Sequence, residues 1–125
     1  DGRRWPWGND FDKTKLNSDG GRIGRTSAVG IFPAGKSPYD VYDCAGNVLE
    51  WCSGPGYGSG ESYPLTPRSY AANLALPAGT RALRGGSWVY VDQVTRAAYR
   101  AYYTPDAWLD LVGFRVAELL SDPEF

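Results

Sequence analysis

The chain of 125 residues contains no histidine. That absence removes the imidazole from every role: no Ser-His-Asp triad, no Cys-His pair, no imidazole ligand for zinc or iron and no imidazole general base can be built from these residues. Methionine is also absent, position 1 included, as expected of a chain processed or cut from a longer one. No stretch approaches the roughly 20 apolar residues of a membrane-spanning helix, and no signal-peptide pattern stands at the start. No membrane span is therefore expected. Charge of one sign is missing too. Thirteen basic residues face 14 acidic ones for a net charge of −1, with no basic run to track a phosphate backbone, so nucleic acid is not an expected partner. Cysteine is scarce. Cys44 and Cys52 both sit among apolar neighbours, and a disulfide would need them to face each other across a tight turn. The expected arrangement is two buried thiols acting as small hydrophobes, which suits a reducing compartment.

What is present is unusual in another way. Five Trp, nine Tyr and four Phe accompany 16 Gly and nine Pro. So many turn formers predict short elements and long loops, with rigid rings filling a core that regular packing cannot fill. The length allows one domain. Trp5-Pro6-Trp7-Gly8 forms a turn flanked by two large rings, and residues 13–27 are polar and Gly-rich, a loop. A short apolar run at 28–32 ends where Pro33-Ala34-Gly35 turns the chain. Residues 39–51 are dense in core-type side chains, broken at Gly46-Asn47, and 53–80 form a long Gly- and Pro-rich excursion. Strands are expected at 82–88 and 113–118. Residues 96–102 fit a strand by alternation and a helix by propensity, and periodicity does not choose between them. The fold class is α+β, with a few antiparallel strands.

Four segments recur in order: Trp5-Pro6-Trp7-Gly8-Asn9, the run from Val41-Tyr42-Asp43-Cys44 through Ala45-Gly46-Asn47-Val48 to Leu49-Glu50-Trp51, then Leu83-Arg84-Gly85-Gly86-Ser87-Trp88, and Gly113-Phe114-Arg115-Val116. Together they resemble the formylglycine-generating-enzyme (sulfatase-modifying factor) family, a branch of the C-type lectin fold. The resemblance implies that residues 1–125 are the C-terminal portion of such a domain, with an upstream segment of the same polypeptide as one partner. It also implies a cell-surface or extracellular setting, against the reducing compartment that the thiols suit. Physically, Gly85-Gly86 admits close backbone approach and positive φ. Arg84 and Arg115 are placed to hold carbonyls or carboxylates with their planar forks. Trp51, Trp88 and Phe114 are expected as core rings.

The family's oxidases place a copper-binding cysteine pair shortly after the Gly-Gly-Ser segment, soft thiolates suiting Cu(I). Here no cysteine follows Ser87, and Tyr90 stands near the first catalytic position. Related iron-dependent sulfoxide synthases need histidines. The expectation is therefore no enzyme and no copper, against the alternative of a degenerate oxidase using Cys44 and Cys52, or of a structural domain in a larger complex.

Residues 89–112 carry a different pattern. Tyr interleaved with small residues is the composition of an adaptable binding surface. Asp, Val, Tyr, Ala, Thr and Leu can all arise from the Asn codon AAC by changes at its adenines alone. Glu, Lys and Met cannot, and none occurs in 89–112; Gln93 and Trp108 are the exceptions. Residues that look constant, Arg96, Ala97, Arg100, Pro105 and Asp106, lie between. This layout resembles the variable proteins of diversity-generating retroelements, whose C-type lectin domains carry adenine-mutagenised positions near the C-terminus. The resemblance implies a non-catalytic ligand-binding domain whose partner is a protein or cell-surface ligand. The implied contact residues are Val89, Tyr90, Val91, Asp92, Val94, Thr95, Tyr99, Ala101, Tyr102, Tyr103, Thr104, Ala107, Trp108, Leu109, Asp110 and Leu111, displayed on one solvent-facing surface. Arg84, Arg96, Arg100, Phe114 and Arg115 would anchor the scaffold beneath.

Family members with structural calcium place oxygen ligands at the positions of Asp43, Gly46, Val48 and Glu50 here. Hard oxygens from a tight loop are what calcium requires, and hydrogen bonding within the turn is the competing role for both carboxylates. An earlier family site would use Asn17 and a later aspartate, but Gly21 stands where that aspartate should be.

Overall fold

A computed structural model describes residues 2–55 and 79–117. Four short strands follow in chain order: β1 (Leu49–Pro55), β2 (Arg81–Arg84), β3 (Ala101–Tyr103) and β4 (Val112–Gly113). They form one sheet in the order β3-β2-β1-β4. β2 pairs antiparallel with both β1 and β3, whereas β4 runs parallel to β1. The sheet is thus mixed, where antiparallel strands alone were expected. The other regular elements among the described residues are single 3-10 turns at Asp19–Gly21, Pro33–Gly35 and Asp92–Thr95.

β2 is one of two inner strands, with β1, and carries part of the core. Ala82 and Leu83 are adjacent, so they face opposite sides of the sheet, yet both are buried. Leu83 sits opposite Trp51 of β1 and Ala101 of β3. Leu49, Leu16, Ala45 and Trp5 complete a small core. β2 stops at Arg84, short of the expected 82–88, because Gly85 and Gly86 both take positive φ. At Gly86 the reason is tertiary: a Cβ would stand 2.9 Å from the Thr95 backbone and from the Val94 carbonyl. Gly46 is equally constrained, since its Cβ would lie 2.3 Å from the Asn17 carbonyl.

The loops carry their own polar framework. Trp5 and Gly8 exchange both backbone hydrogen bonds (2.9 and 3.0 Å), which closes the predicted aromatic turn. Asn47, in the left-handed region, accepts from the Ser27 N–H with its side-chain oxygen (2.9 Å), donates its own N–H to the Asn17 carbonyl (2.8 Å) and accepts from the Trp88 N–H (3.0 Å). Asn17 Nδ2 donates to the Arg25 carbonyl at 2.9 Å. The 13–27 loop is therefore fastened to the 44–48 turn by amides.

Several sequence expectations need correction. Phe114 is 76% exposed and is not a core ring, and Trp51 and Trp88 are half-buried. Among the described residues β4 is an edge strand of two residues, and no described strand lies beyond it beside Phe114 and Val116. The expected strand 113–118 is shorter for the same reason; Glu118 lies outside the described residues. In 39–51 the buried part begins at Ala45, while Tyr39, Val41 and Tyr42 are exposed. For 96–102 the outcome is strand: after a turn at 97–98 the chain enters β3 at Ala101. Of the excursion 53–80, its first residues extend β1, and 56–78 lie outside the described residues.

Candidate ligand-binding surface

The segment 89–112 leaves the Gly85-Gly86 turn and returns at β4. Its backbone is tied down at intervals. The Tyr90 carbonyl accepts from the Asp19 N–H (3.1 Å), and the Ala97 N–H donates to the Arg4 carbonyl (2.8 Å). Arg84, reaching across from β2, donates to the Ala97 carbonyl at 3.1 Å and to that of Tyr99 at 3.5 Å. The Leu111 carbonyl accepts from the Leu49 N–H at 2.8 Å. The expected anchoring role of Arg84 is thus realised through carbonyls. Arg96 donates only locally, to the Gln93 carbonyl (2.8 Å), and is itself exposed. Arg100 lies over the Tyr102 ring, 5.4 Å from its centroid.

The side chains divide. Val89, Val91, Thr104, Trp108, Leu109 and Asp110 are exposed, and Trp108 reaches 94%. Tyr90, Asp92, Val94, Tyr99, Ala101, Tyr102, Tyr103, Ala107 and Leu111 are half-buried. Thr95 is a correction. It is fully buried, its hydroxyl donating to the Asp92 carbonyl (2.8 Å) and accepting from Trp5 Nε1 (3.2 Å). A side chain that satisfies the indole beneath it belongs to the scaffold and cannot touch a ligand. Nothing in the local sequence distinguished Thr95 from Thr104; the partner that buries it lies 90 residues away.

Tyr90, near the family's first catalytic position, is chemically quiet. Partial burial, with a hydrogen bond to Tyr103, pushes its hydroxyl up to about 12, so it stays a neutral donor-acceptor at physiological pH. Cys44 and Cys52 are free and half-buried, where full burial was expected. Desolvation raises both thiols above their ordinary value, which disfavours the thiolate that a metal or an electrophile would need.

The four positions of the expected calcium set lie around Arg115 and the 42–50 turn. Arg115 meets Glu50 with its fork, Nε at 2.6 Å and Nη2 at 2.5 Å, and also donates to the Tyr42 (3.1 Å) and Asp43 (3.2 Å) carbonyls. The Glu50 hydrogen bond raises the Arg115 pKa further. Asp43 accepts from the Gly30 N–H at 2.7 Å. Both carboxylates are therefore engaged, and a guanidinium already supplies Glu50 with its positive charge. Among the described residues no three His, Cys, Asp or Glu side chains gather around a common point. Of Asp43, Gly46, Val48 and Glu50, the two carboxylates thus take the competing role of hydrogen bonding to protein groups in this arrangement.

Beside the turn 104–111 lies an open groove of about 680 Å³, with Trp51, Trp108, Asp110 and Phe114 in its walls. Sequence reasoning placed Trp51 and Phe114 in the core and so missed them here. The signal available was the alternation Phe114, Arg115, Val116, which sets the two apolar residues on the face opposite the arginine.

With this geometry in hand, the sulfatase-modifying factor enzyme 1-like domain profile matches residues 1–120. The chain belongs to that family. The sulfatase-modifying factor-like chain is 32% identical to a hercynine oxygenase of Mycolicibacterium thermoresistibile, over 92% of its own length and 26% of the relative. It is 38% identical to a serine/threonine-protein kinase of Chlamydia trachomatis, over 94% of itself and 18% of the kinase. It is 29% identical to the inactive Cα-formylglycine-generating enzyme 2 of mouse, over 98% of itself and 39% of that protein. It therefore spans less than half of these relatives. Among solved structures, Treponema denticola variable protein 1 superposes with a TM-score of 0.64 at 26% identity, covering 90% of this chain and 40% of that one. The C-type lectin fold follows from this likeness. The relatives include one named an oxygenase and one named inactive. No helix among the described residues is long and apolar enough to cross a membrane.

Proposed function

We propose that this sulfatase-modifying factor-like domain is a non-catalytic ligand-binding scaffold that displays diversified residues of segment 89–112. The observation that carries the reading is the likeness to a variable protein, joined to the composition of 89–112, in which the residues reachable from AAC by adenine changes predominate. Backbone tethering through Arg84, Asp19 and Arg4 supports it physically: a surface whose side chains change must be held by groups that do not. The contact residues are those named above without Thr95, and the partner is a protein or cell-surface ligand. The absence of histidine throughout, and of cysteine after Cys52, argues against oxidase chemistry housed in these residues.

The hercynine oxygenase likeness favours a second reading, in which the domain serves an oxygenase whose reacting groups come from elsewhere in the polypeptide. Sequencing the surrounding DNA separates the two. The ligand-binding reading expects, beside a reverse-transcriptase gene, a near-identical repeat of the coding end that differs at adenines aligned with the displayed positions. No such repeat, together with oxidation of a cysteine peptide or of hercynine by the full-length protein, would establish the second reading instead.

A further inference from the structure

The groove beside the 104–111 turn combines two features seldom left together on a surface. Its walls are aromatic, from Trp51, Trp108 and Phe114, with Trp108 and Phe114 standing 94% and 76% exposed. Its one charged lining residue is Asp110, exposed and without an ion-pair partner among the described residues. No lysine or arginine lines the groove; the nearest in sequence, Arg115, is spent on Glu50. Asp106, on the same turn, accepts from Thr104, which holds its carboxyl below the usual range, so it adds a second negative charge nearby.

That pairing restricts the occupant. A purely apolar side chain would cover the rings but strip water from Asp110 with nothing in return. An anion would meet the carboxylate and the negative faces of the indoles. A cation gains from both, by attraction to the ring faces and by a charge-assisted hydrogen bond. Arginine matches better than lysine, since its planar guanidinium stacks on an aromatic face while its fork reaches a carboxylate and its methylene stem lies along the apolar wall. We propose that this groove receives an arginine side chain of a protein partner, with Trp108 and Phe114 as its aromatic walls and Asp110 as its counter-charge. The inference deepens the ligand-binding reading at Trp108 and Asp110, and extends it to Trp51 and Phe114, which lie outside 89–112.

The test uses the full-length protein labelled with 5-fluorotryptophan, the Trp108 resonance being the one missing from W108F. N-acetyl-arginine amide, its neutral isostere N-acetyl-citrulline amide, N-acetyl-norleucine amide and choline are titrated in parallel. The expected result is a saturable shift of the Trp108 resonance with arginine, with citrulline and norleucine roughly tenfold weaker and choline weaker than arginine. Asp110→Asn is expected to bring arginine down to the citrulline level. An equal response to citrulline or norleucine, tighter binding of choline, or an arginine response unchanged in Asp110→Asn would overturn the arginine assignment and leave the binding surface standing. Silence towards every probe would overturn it and count against ligand binding at this end of the surface as well. A Trp108 resonance with no shift between H2O and D2O would show that another part of the polypeptide covers the groove, and would also overturn it.

Discussion

The two halves of segment 89–112, the first rich in Tyr and the second carrying Trp108, Leu109 and Leu111 without Tyr, differ also in how they are held. Residues 89–103 are woven into the scaffold. Tyr90, Ala97 and Tyr99 accept through their carbonyls from Asp19 and Arg84, Thr95 caps the Trp5 indole, and β3 is zipped to β2. Between Thr104 and Asp110 the backbone bonds are local: the Ala107 N–H to the Thr104 carbonyl (2.9 Å) and the Val112 N–H to that of Leu109 (3.2 Å). The first half exposes side chains from a fixed sheet edge and turn, whereas the second projects Trp108 from a loop fastened only at its ends. Preorganisation thus belongs to the first half and reach to the second. Rigid rings on a fixed frame lose little freedom on binding, while a protruding Trp can insert into a partner.

The largest expected effect breaks the floor of the first half. Gly86→Ala places a methyl 2.9 Å from Thr95 at a φ of +70°, and is expected to cost about 3 kcal/mol or more. Chemical denaturation would register it as a large fall in midpoint, and an unchanged midpoint would show that the floor is not rigid. Thr95→Val keeps the shape but leaves Trp5 Nε1 buried without an acceptor. A loss of about 1–3 kcal/mol is expected, and Thr95→Ser should restore most of it. If Thr95→Val proves neutral while ligand binding falls, Thr95 is a contact residue after all. Arg115→Gln removes the fork that joins Glu50 and the 42–43 carbonyls to the end of β4. The pair is partly exposed, so about 1 kcal/mol is expected. Millimolar calcium should raise the Tm of this variant more than that of the unmodified protein, whose Glu50 already has its cation. Calcium stabilising the unmodified protein equally would return Asp43, Gly46, Val48 and Glu50 to the role of ligands. The smallest effect belongs to the second half: Trp108→Ser should change stability by less than about 0.5 kcal/mol, as calorimetry can check. A larger loss would place the indole against protein.

Much of the fold was legible because its signals are local. The positive φ expected of Gly85-Gly86 is found, although the pair ends β2 where a strand to Trp88 was expected, and Trp5-Pro6-Trp7-Gly8 closes on itself. Arg84 and Arg115 were legible as anchors because a planar fork beside apolar residues has few other uses. Burial was read less well. Thr95 and Thr104 were both expected on the displayed surface, yet one is sealed against Trp5 and the other faces solvent. Phe114 has the composition of a core ring and is exposed, following a β4 that has a neighbour on one side only among the described residues.

By itself, then, the amino-acid sequence determined which side chains are missing for imidazole chemistry, where the chain must turn and which segment is rich in Tyr and small residues, since each depends on residue type or on near neighbours. The tertiary structure alone decided that Arg115 meets Glu50, that Thr95 is buried against Trp5, and that Trp51 and Phe114 join Trp108 and Asp110 around one groove. These outcomes hang on contacts between residues tens of positions apart, and only the folded sheet brings them within reach.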